Sequence, residues 1–217
     1  MRLTGLTSLA MALTLGLLTG SAPALALVRE PPASDQDSMA PSDEPRIDAP
    51  FGHAWLGAAD ADVTLVVFAD YACPACREAQ AVIDQLLAQD HKLKVVYRLL
   101  DNDQGGQAAA LTSLAVAEAS PDWGKFHHAL DAAGDVSSKT IADAIAASGV
   151  DPAKLPNHDD PETLPLVDEL NRNDRLINQR KGTALPSWLI GDGPAQKGFD
   201  LPRLQAAIAK ARADKKP

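Results

Sequence analysis

The run Val63-Thr64-Leu65-Val66-Val67-Phe68 leads through Ala69-Asp70-Tyr71-Ala72 into the pair Cys73-Pro74-Ala75-Cys76. Continuous β-branched, aliphatic and aromatic residues of that length read as a strand buried on both faces of a sheet. From Pro74 to about Gln89 the period changes, with Ala75, Ala79, Val82, Ile83, Leu86 and Leu87 recurring at spacings of three and four, so a helix follows. Leu93-Lys94-Val95-Val96-Tyr97-Arg98 is a second strand, and strand, helix, strand in that order implies a right-handed parallel unit. The cysteines therefore fall on a strand-to-helix junction.

Downstream, Gln107 to Ala119 is Ala-rich with Leu111, Leu114 and Ala115 on one face, and Ser120-Pro121 reads as an N-cap with proline at the first helical position. Trp123, Phe126, His127 and Leu130 share one face of the helix expected next. Ser137 or Ser138 caps a further helix through Ile141 and Ile145, which Gly149 closes. Asp151-Pro152 and Asp160-Pro161 repeat the cap-then-proline signal. Residues 104 to 181 are thus expected to be several helices without a strand. Strand character returns at Ser187-Trp188-Leu189-Ile190, turns at Gly191-Asp192-Gly193 and resumes from Gln196 to Phe199, before a last helix from about Leu201 to Ala213. The whole is an α/β fold with an inserted helical subdomain and no internal repeat.

Residues 1–26 read as a secretory signal peptide: Arg2 precedes an uncharged run from Leu3 to Leu18, and small residues lead to Ala24-Leu25-Ala26. The run is short for a membrane span and no stop-transfer pattern follows, an uncleaved anchor being the alternative. No cysteine precedes Cys73, which excludes a lipid-modified N-terminal cysteine. Residues 27–50 carry Pro31, Pro32, Pro41, Pro45 and Pro50 among Glu30, Asp35, Asp37, Asp43, Glu44 and Asp48, and are expected to be a disordered linker. The fold then spans 51–213, with 214–217 a tail. The net charge of −9 becomes more negative once Arg2 is removed, which speaks against a nucleic-acid partner. The roughly 190 residues after the leader can bury a core without covalent staples.

The chain holds two cysteines. A bridge between them closes almost no loop and so stabilises little through chain entropy, which makes reactivity the better reason to keep the pair. An inert bridge in a binding module is the alternative. At a helix start the free N–H groups of the first turn and the positive dipole end favour a thiolate, most of all at Cys73 in the cap position. Pro74 suits the next position, where no intrahelical N–H is needed, and Cys76, one turn in, should point inward. Covalent haem attachment needs histidine after the second cysteine, where Arg77 stands. Zinc would need further ligands from His53, His91, His127, His128, His158 or a carboxylate, and no such set has ligand-like spacing. His127 and His128, adjacent on one helix, cannot face one site together and read as packing or surface residues.

The segment Phe68-Ala69-Asp70-Tyr71-Ala72-Cys73-Pro74-Ala75-Cys76 resembles the active-site segment of the DsbA-like branch of the thioredoxin superfamily. Gly57 to Val63 resembles that branch's lead-in, the helical insertion sits where the branch carries one, and Pro186-Ser187-Trp188-Leu189-Ile190 resembles its proline-then-strand segment. The resemblance covers about residues 51–213. It implies a thioredoxin-like fold with an inserted helical subdomain at about 104–181, and a thiol-disulfide oxidoreductase acting on protein thiols. It further implies a redox-active Cys73-Cys76 disulfide in place of any metal or organic cofactor, a membrane redox partner, and residence in the periplasm. Cys73 would be the attacked sulfur and Cys76 the leaving and resolving one, with Pro74 and Ala75 completing the active-site helix. By the same resemblance Pro186 is a cis-proline, and the backbone of Leu185 pairs with an extended substrate. An ordinary trans proline opening a strand is the alternative.

Two positions depart from the pattern: Leu185 stands where relatives often carry threonine or valine, and Val67 stands where many have a buried acid. Oxidase is the favoured direction. A reductase or isomerase of the same fold stays open, although no segment reads as a dimerisation domain and a monomer is expected.

Overall fold

The computed structural model describes residues 46–101, 105–157 and 160–215. The expected signal peptide, and the linker up to residue 45, lie outside the described residues. The buried runs form the centre of a five-stranded sheet, because each must be covered on both faces. Strands β1 (Trp55–Gly57), β2 (Val63–Ala69), β3 (Leu93–Leu99), β4 (Ser187–Ile190) and β5 (Gln196–Lys197) stand in the order β1-β3-β2-β4-β5. β2 and β3 are parallel, with Val63 opposite Leu93 and Ala69 opposite Leu99, and α1 (Pro74–Gln89) is the crossover between them. β1 joins β3, β4 joins β2 and β5 joins β4, all antiparallel.

Between β3 and β4 come α2 (Gln107–Ala119), α3 (Trp123–Ala133), α4 (Ser138–Ser148), two single 3-10 turns at Pro152–Lys154 and Pro161–Thr163, and α5 (Leu164–Gln179). The last element, α6 (Leu201–Asp214), packs beside α1 and β4. Alternation along the strands splits the core in two. Leu65, Val67, Val95 and Tyr97 belong to the larger cluster with Ile83 and Leu86 of α1 and Trp123 and Phe126 of α3. Val66 and Phe68 face the other way, against Ile47, Leu100, Leu176 and Ile177. Among the described residues no helix is long and apolar enough to cross a membrane.

Several expectations need correction. The disordered linker does not extend to residue 50. Ile47 is buried at 6% exposure, and the Arg98 guanidinium donates to the carbonyls of Arg46 at 3.1 Å, Ile47 at 3.1 Å and Ala49 at 2.7 Å. Residues 46–50 are therefore part of the folded body. Ser120 does not cap α3: it is the C-cap of α2, its hydroxyl accepts the Asp122 N–H at 3.1 Å, and α3 begins only at Trp123. The Asp-Pro signals at 151 and 160 open short 3-10 turns rather than α-helices. β1 is an element the sequence reading did not contain, and α6 runs one residue beyond its expected end.

Candidate active site

At the end of β2 the chain makes a tight turn fixed by its own polar groups. Oδ1 of Asp70 accepts the Ala72 N–H at 2.8 Å, and the Asp70 carbonyl accepts the Cys73 N–H at 3.1 Å. That turn delivers Cys73 to the N-cap of α1 in extended conformation, with Pro74 first in the helix. Sγ of Cys73 accepts the backbone N–H of Cys76 at 3.3 Å. The sulfur thus does what a serine or aspartate oxygen does at other helix starts, taking up an otherwise unpaired donor at the positive end of the dipole. Arg77 donates to the Tyr71 carbonyl at 2.9 Å and ties the turn to the first helical turn.

Pro74 and Ala75 are exposed, whereas Cys73 and Cys76 retain only 9% and 8% of their surface. Both are free thiols in this structure. Access therefore distinguishes the two sulfurs less than the sequence suggested, and electrostatics distinguishes them more. Burial pushes the Cys76 thiol strongly upward, its hydrogen bond with Cys73 adds to that, and a backbone hydrogen bond from Asp70 opposes it. Cys76 is thus a protonated thiol near neutral pH.

A fully paired polar network lies in the core beside Cys76. The Tyr97 hydroxyl donates to Oε1 of Gln80 at 2.7 Å, and Nε2 of His127 meets the same oxygen at 3.0 Å. An amide oxygen only accepts, so Nε2 carries the proton and Nδ1 accepts from the Tyr71 hydroxyl, 2.9 Å away. The Trp123 indole donates to Oγ of Ser113 at 2.9 Å, which leaves the serine proton for the Tyr71 oxygen, also at 2.9 Å. His127 stacks on Trp123 with centroids 4.7 Å apart, and desolvation together with nearby His128 pushes its pKa down to about 3. It is a neutral core histidine, as the sequence reading allowed, but it also lines a small cavity with Cys76, Val67 and Asp131. Burial raises the Tyr71 and Tyr97 hydroxyls far above their ordinary range.

Neither this network nor Asp131 stands out in the local sequence pattern. The available signal was a histidine on the otherwise apolar Trp123-Phe126-Leu130 face, with Asp131 one helical turn beyond it. Asp131 is half-buried, and its pKa is raised to about 6 by desolvation, with Asp84 adding to the rise and Arg77 opposing it.

The Leu185–Pro186 bond is cis. Because Ser187 pairs with Phe68, Pro186 stands at the end of the sheet where β2 runs out toward Cys73. Leu185 is partly buried against the second core cluster and lines a groove with Leu100, Ile177 and Thr183. The fold thus brings Cys73, Cys76, Leu185 and Pro186 to one end of the sheet. Val67, the departure from the buried acid of many relatives, presents only methyl groups to the cavity.

A family model described as thioredoxin matches residues 51–191. No curated protein matches the chain. Among solved structures, a thioredoxin-like oxidoreductase from Silicibacter pomeroyi DSS-3 is 27% identical with a TM-score of 0.64, over 73% of this chain and 91% of that one. The thiol-disulfide exchange protein alpha-DsbA2 from Wolbachia pipientis is 25% identical with a TM-score of 0.63, over 72% and 85%. Proteus mirabilis ScsC shares the fold at 22% identity with a TM-score of 0.64, over 74% and 72%. The sheet order, the helical insertion between β3 and β4, the cysteine pair capping α1 and these matches agree: the chain belongs to the thioredoxin family, in its DsbA-like branch.

Proposed function

We propose that this protein is an exported thiol-disulfide oxidoreductase that works as a dithiol oxidase, with Cys73 as the sulfur exchanged with substrate and Cys76 as the resolving and leaving sulfur. The observation that carries the reading is the unequal setting of two otherwise similar sulfurs. Cys73 sits at the positive end of α1 and accepts an N–H at 3.3 Å, so negative charge that develops on it is stabilised. Cys76 is buried and holds its proton. Stabilising the anion of one cysteine stabilises the reduced pair, which makes the disulfide the stronger oxidant. The leader-like residues 1–26 support export.

In the oxidising direction a substrate thiolate attacks Sγ of Cys73, the Cys73–Cys76 bond breaks, and Cys76 leaves with the electron pair and takes up a proton. A second substrate thiolate then attacks the substrate sulfur of the mixed disulfide and releases Cys73 as the thiolate. The substrate has lost two electrons and the protein has gained them, with no metal or organic cofactor in the cycle. By family resemblance a membrane partner restores the disulfide. Leu185 and Pro186, at the same end of the sheet, supply the edge against which an extended substrate segment lies.

The test is trapping. Cys76→Ser, incubated with a reduced single-cysteine peptide after activation of Cys73 as a mixed disulfide, should accumulate the protein–peptide adduct. Cys73→Ser should not. Adduct formed only by Cys73→Ser would reverse the roles.

A further inference from the structure

Whenever the mixed disulfide is resolved internally, Cys76 must lose its proton, and burial makes that loss difficult. No acid on β2 points into the space beside it, where Val67 stands. That space is a cavity with room for about one water molecule, and its wall includes both Cys76 and, from α3, the half-buried Asp131. We propose that Asp131 is the proton acceptor and donor for Cys76, acting across the cavity that the two residues share. The inference rests on the reading of Cys73 and Cys76 as an exchanging pair.

The other groups around the cavity are committed elsewhere. The Asp70 carboxylate accepts the Ala72 N–H and lies against Gly106, where an added Cβ would stand 2.2 Å from Oδ1. Both nitrogens of His127 are engaged, by Tyr71 and by Gln80. Tyr71 and Tyr97 hold their protons throughout the working range. Asp84, exposed on α1, accepts from the Gln80 amide at 2.8 Å. Among the described residues no hydrogen bond engages the Asp131 carboxylate. Arg77 of α1 is the cation that faces it, and the same Arg77 acts on Asp135 in the turn after α3. An acid with a pKa near 6 both accepts and returns a proton readily around neutrality.

The step balances. In Cys73–S–S–R the Cys76 thiol gives its proton to the Asp131 carboxylate, its sulfur bonds to Sγ of Cys73, and the bond to R breaks with RS⁻ carrying away the electron pair. The cysteines are oxidised and the R sulfur is reduced. In the opposite direction protonated Asp131 returns the proton to Cys76 as it leaves. Resolution is therefore supported above a pH of about 6 and fails as the pH falls through that value.

Reduced full-length protein mixed with excess dithiobis(nitrobenzoate) tests this. It should release one thionitrobenzoate in a reagent-dependent phase at Cys73 and a second in a reagent-independent phase driven by Cys76. The second phase of the wild type should fall off below a pH of about 6. In Asp131→Asn it should be slower by about tenfold to a hundredfold at neutral pH and should rise steadily with pH without that break, and Asp131→Glu should restore the break. The first phase should stay within about twofold in all three proteins. A wild-type second phase in Asp131→Asn overturns the proposal, as does equal slowing of both phases. A wild type with no second release at all overturns the exchanging-pair reading as well.

Discussion

Replacing Arg98 by methionine should cost more stability than any other single change on the face of the sheet away from the cysteines. Arg98 and Glu169 are buried at 2% and 1% side-chain exposure, with Nη1 and Oε1 2.6 Å apart. Burial lowers the pKa of Arg98 and raises that of Glu169, and in each desolvation outweighs the partner's attraction. The pair as such is thus not a source of net stability, and the damage comes from removing one member. Arg98→Met leaves the Glu169 carboxylate with Arg172 alone, strips the carbonyls of Ile47 and Ala49 of their donor, and leaves that of Arg46 with the Ala49 N–H only. The expected loss is about 3–5 kcal/mol. With a urea slope of about 2 kcal/mol/M, a loss in the middle of that range lowers the unfolding midpoint by about 2 M. The double variant Arg98→Met/Glu169→Leu should recover about 1–3 kcal/mol, because no uncompensated carboxylate is left buried. A loss below about 1 kcal/mol in Arg98→Met, or a double variant less stable than the single, would refute this reasoning.

Three further outcomes follow from the same structure. A chain beginning at Phe51 should lose about 1.5–3 kcal/mol in urea against one beginning at Arg46, from Ile47 alone, and equal stability of the two would show that the segment contributes nothing. His127 should stay neutral in the folded protein down to a pH of about 3, so stability is present above its unfolded value of 6.5 and is lost as the pH falls between the two, by about 4 kcal/mol at the lower end. Asp131, raised to about 6, acts in the opposite sense over part of that range, so the clean readout is the NMR titration of the His127 ring, and a midpoint near 6.5 would contradict the network. Val67→Glu in the Asp131→Asn background should restore the intramolecular release while costing roughly 2–7 kcal/mol for a buried carboxyl. A folded double variant that stays slow would mean that position 67 does not reach Cys76.

The elements legible in the sequence are those whose side chains must be buried. β2, β3 and β4 announce themselves as apolar runs, and the period of α1 places both its ends correctly. β1 escaped because its three residues are held by backbone pairing to β3 and are not buried. Residues 46–50 escaped for a related reason: Arg98 binds their carbonyls, and a carbonyl leaves no trace in residue type. Ser120-Pro121 misled because a hydroxyl before proline serves a turn between helices as readily as a helix start. At the site, the cap position of Cys73 followed from local pattern, and the cis bond at Pro186 from resemblance. The cavity could not be read ahead, since its wall is assembled from β2, α1, β3 and α3, which meet only in the tertiary fold.

The oxidase reading is tested most directly by the equilibrium of the Cys73–Cys76 pair with reduced and oxidised glutathione. A Cys73–Cys76 pair poised as an oxidase should have a reduction potential less negative than about −180 mV, on the oxidising side of the protein-disulfide-isomerase range. A potential near the roughly −270 mV of a reducing thioredoxin would contradict that reading.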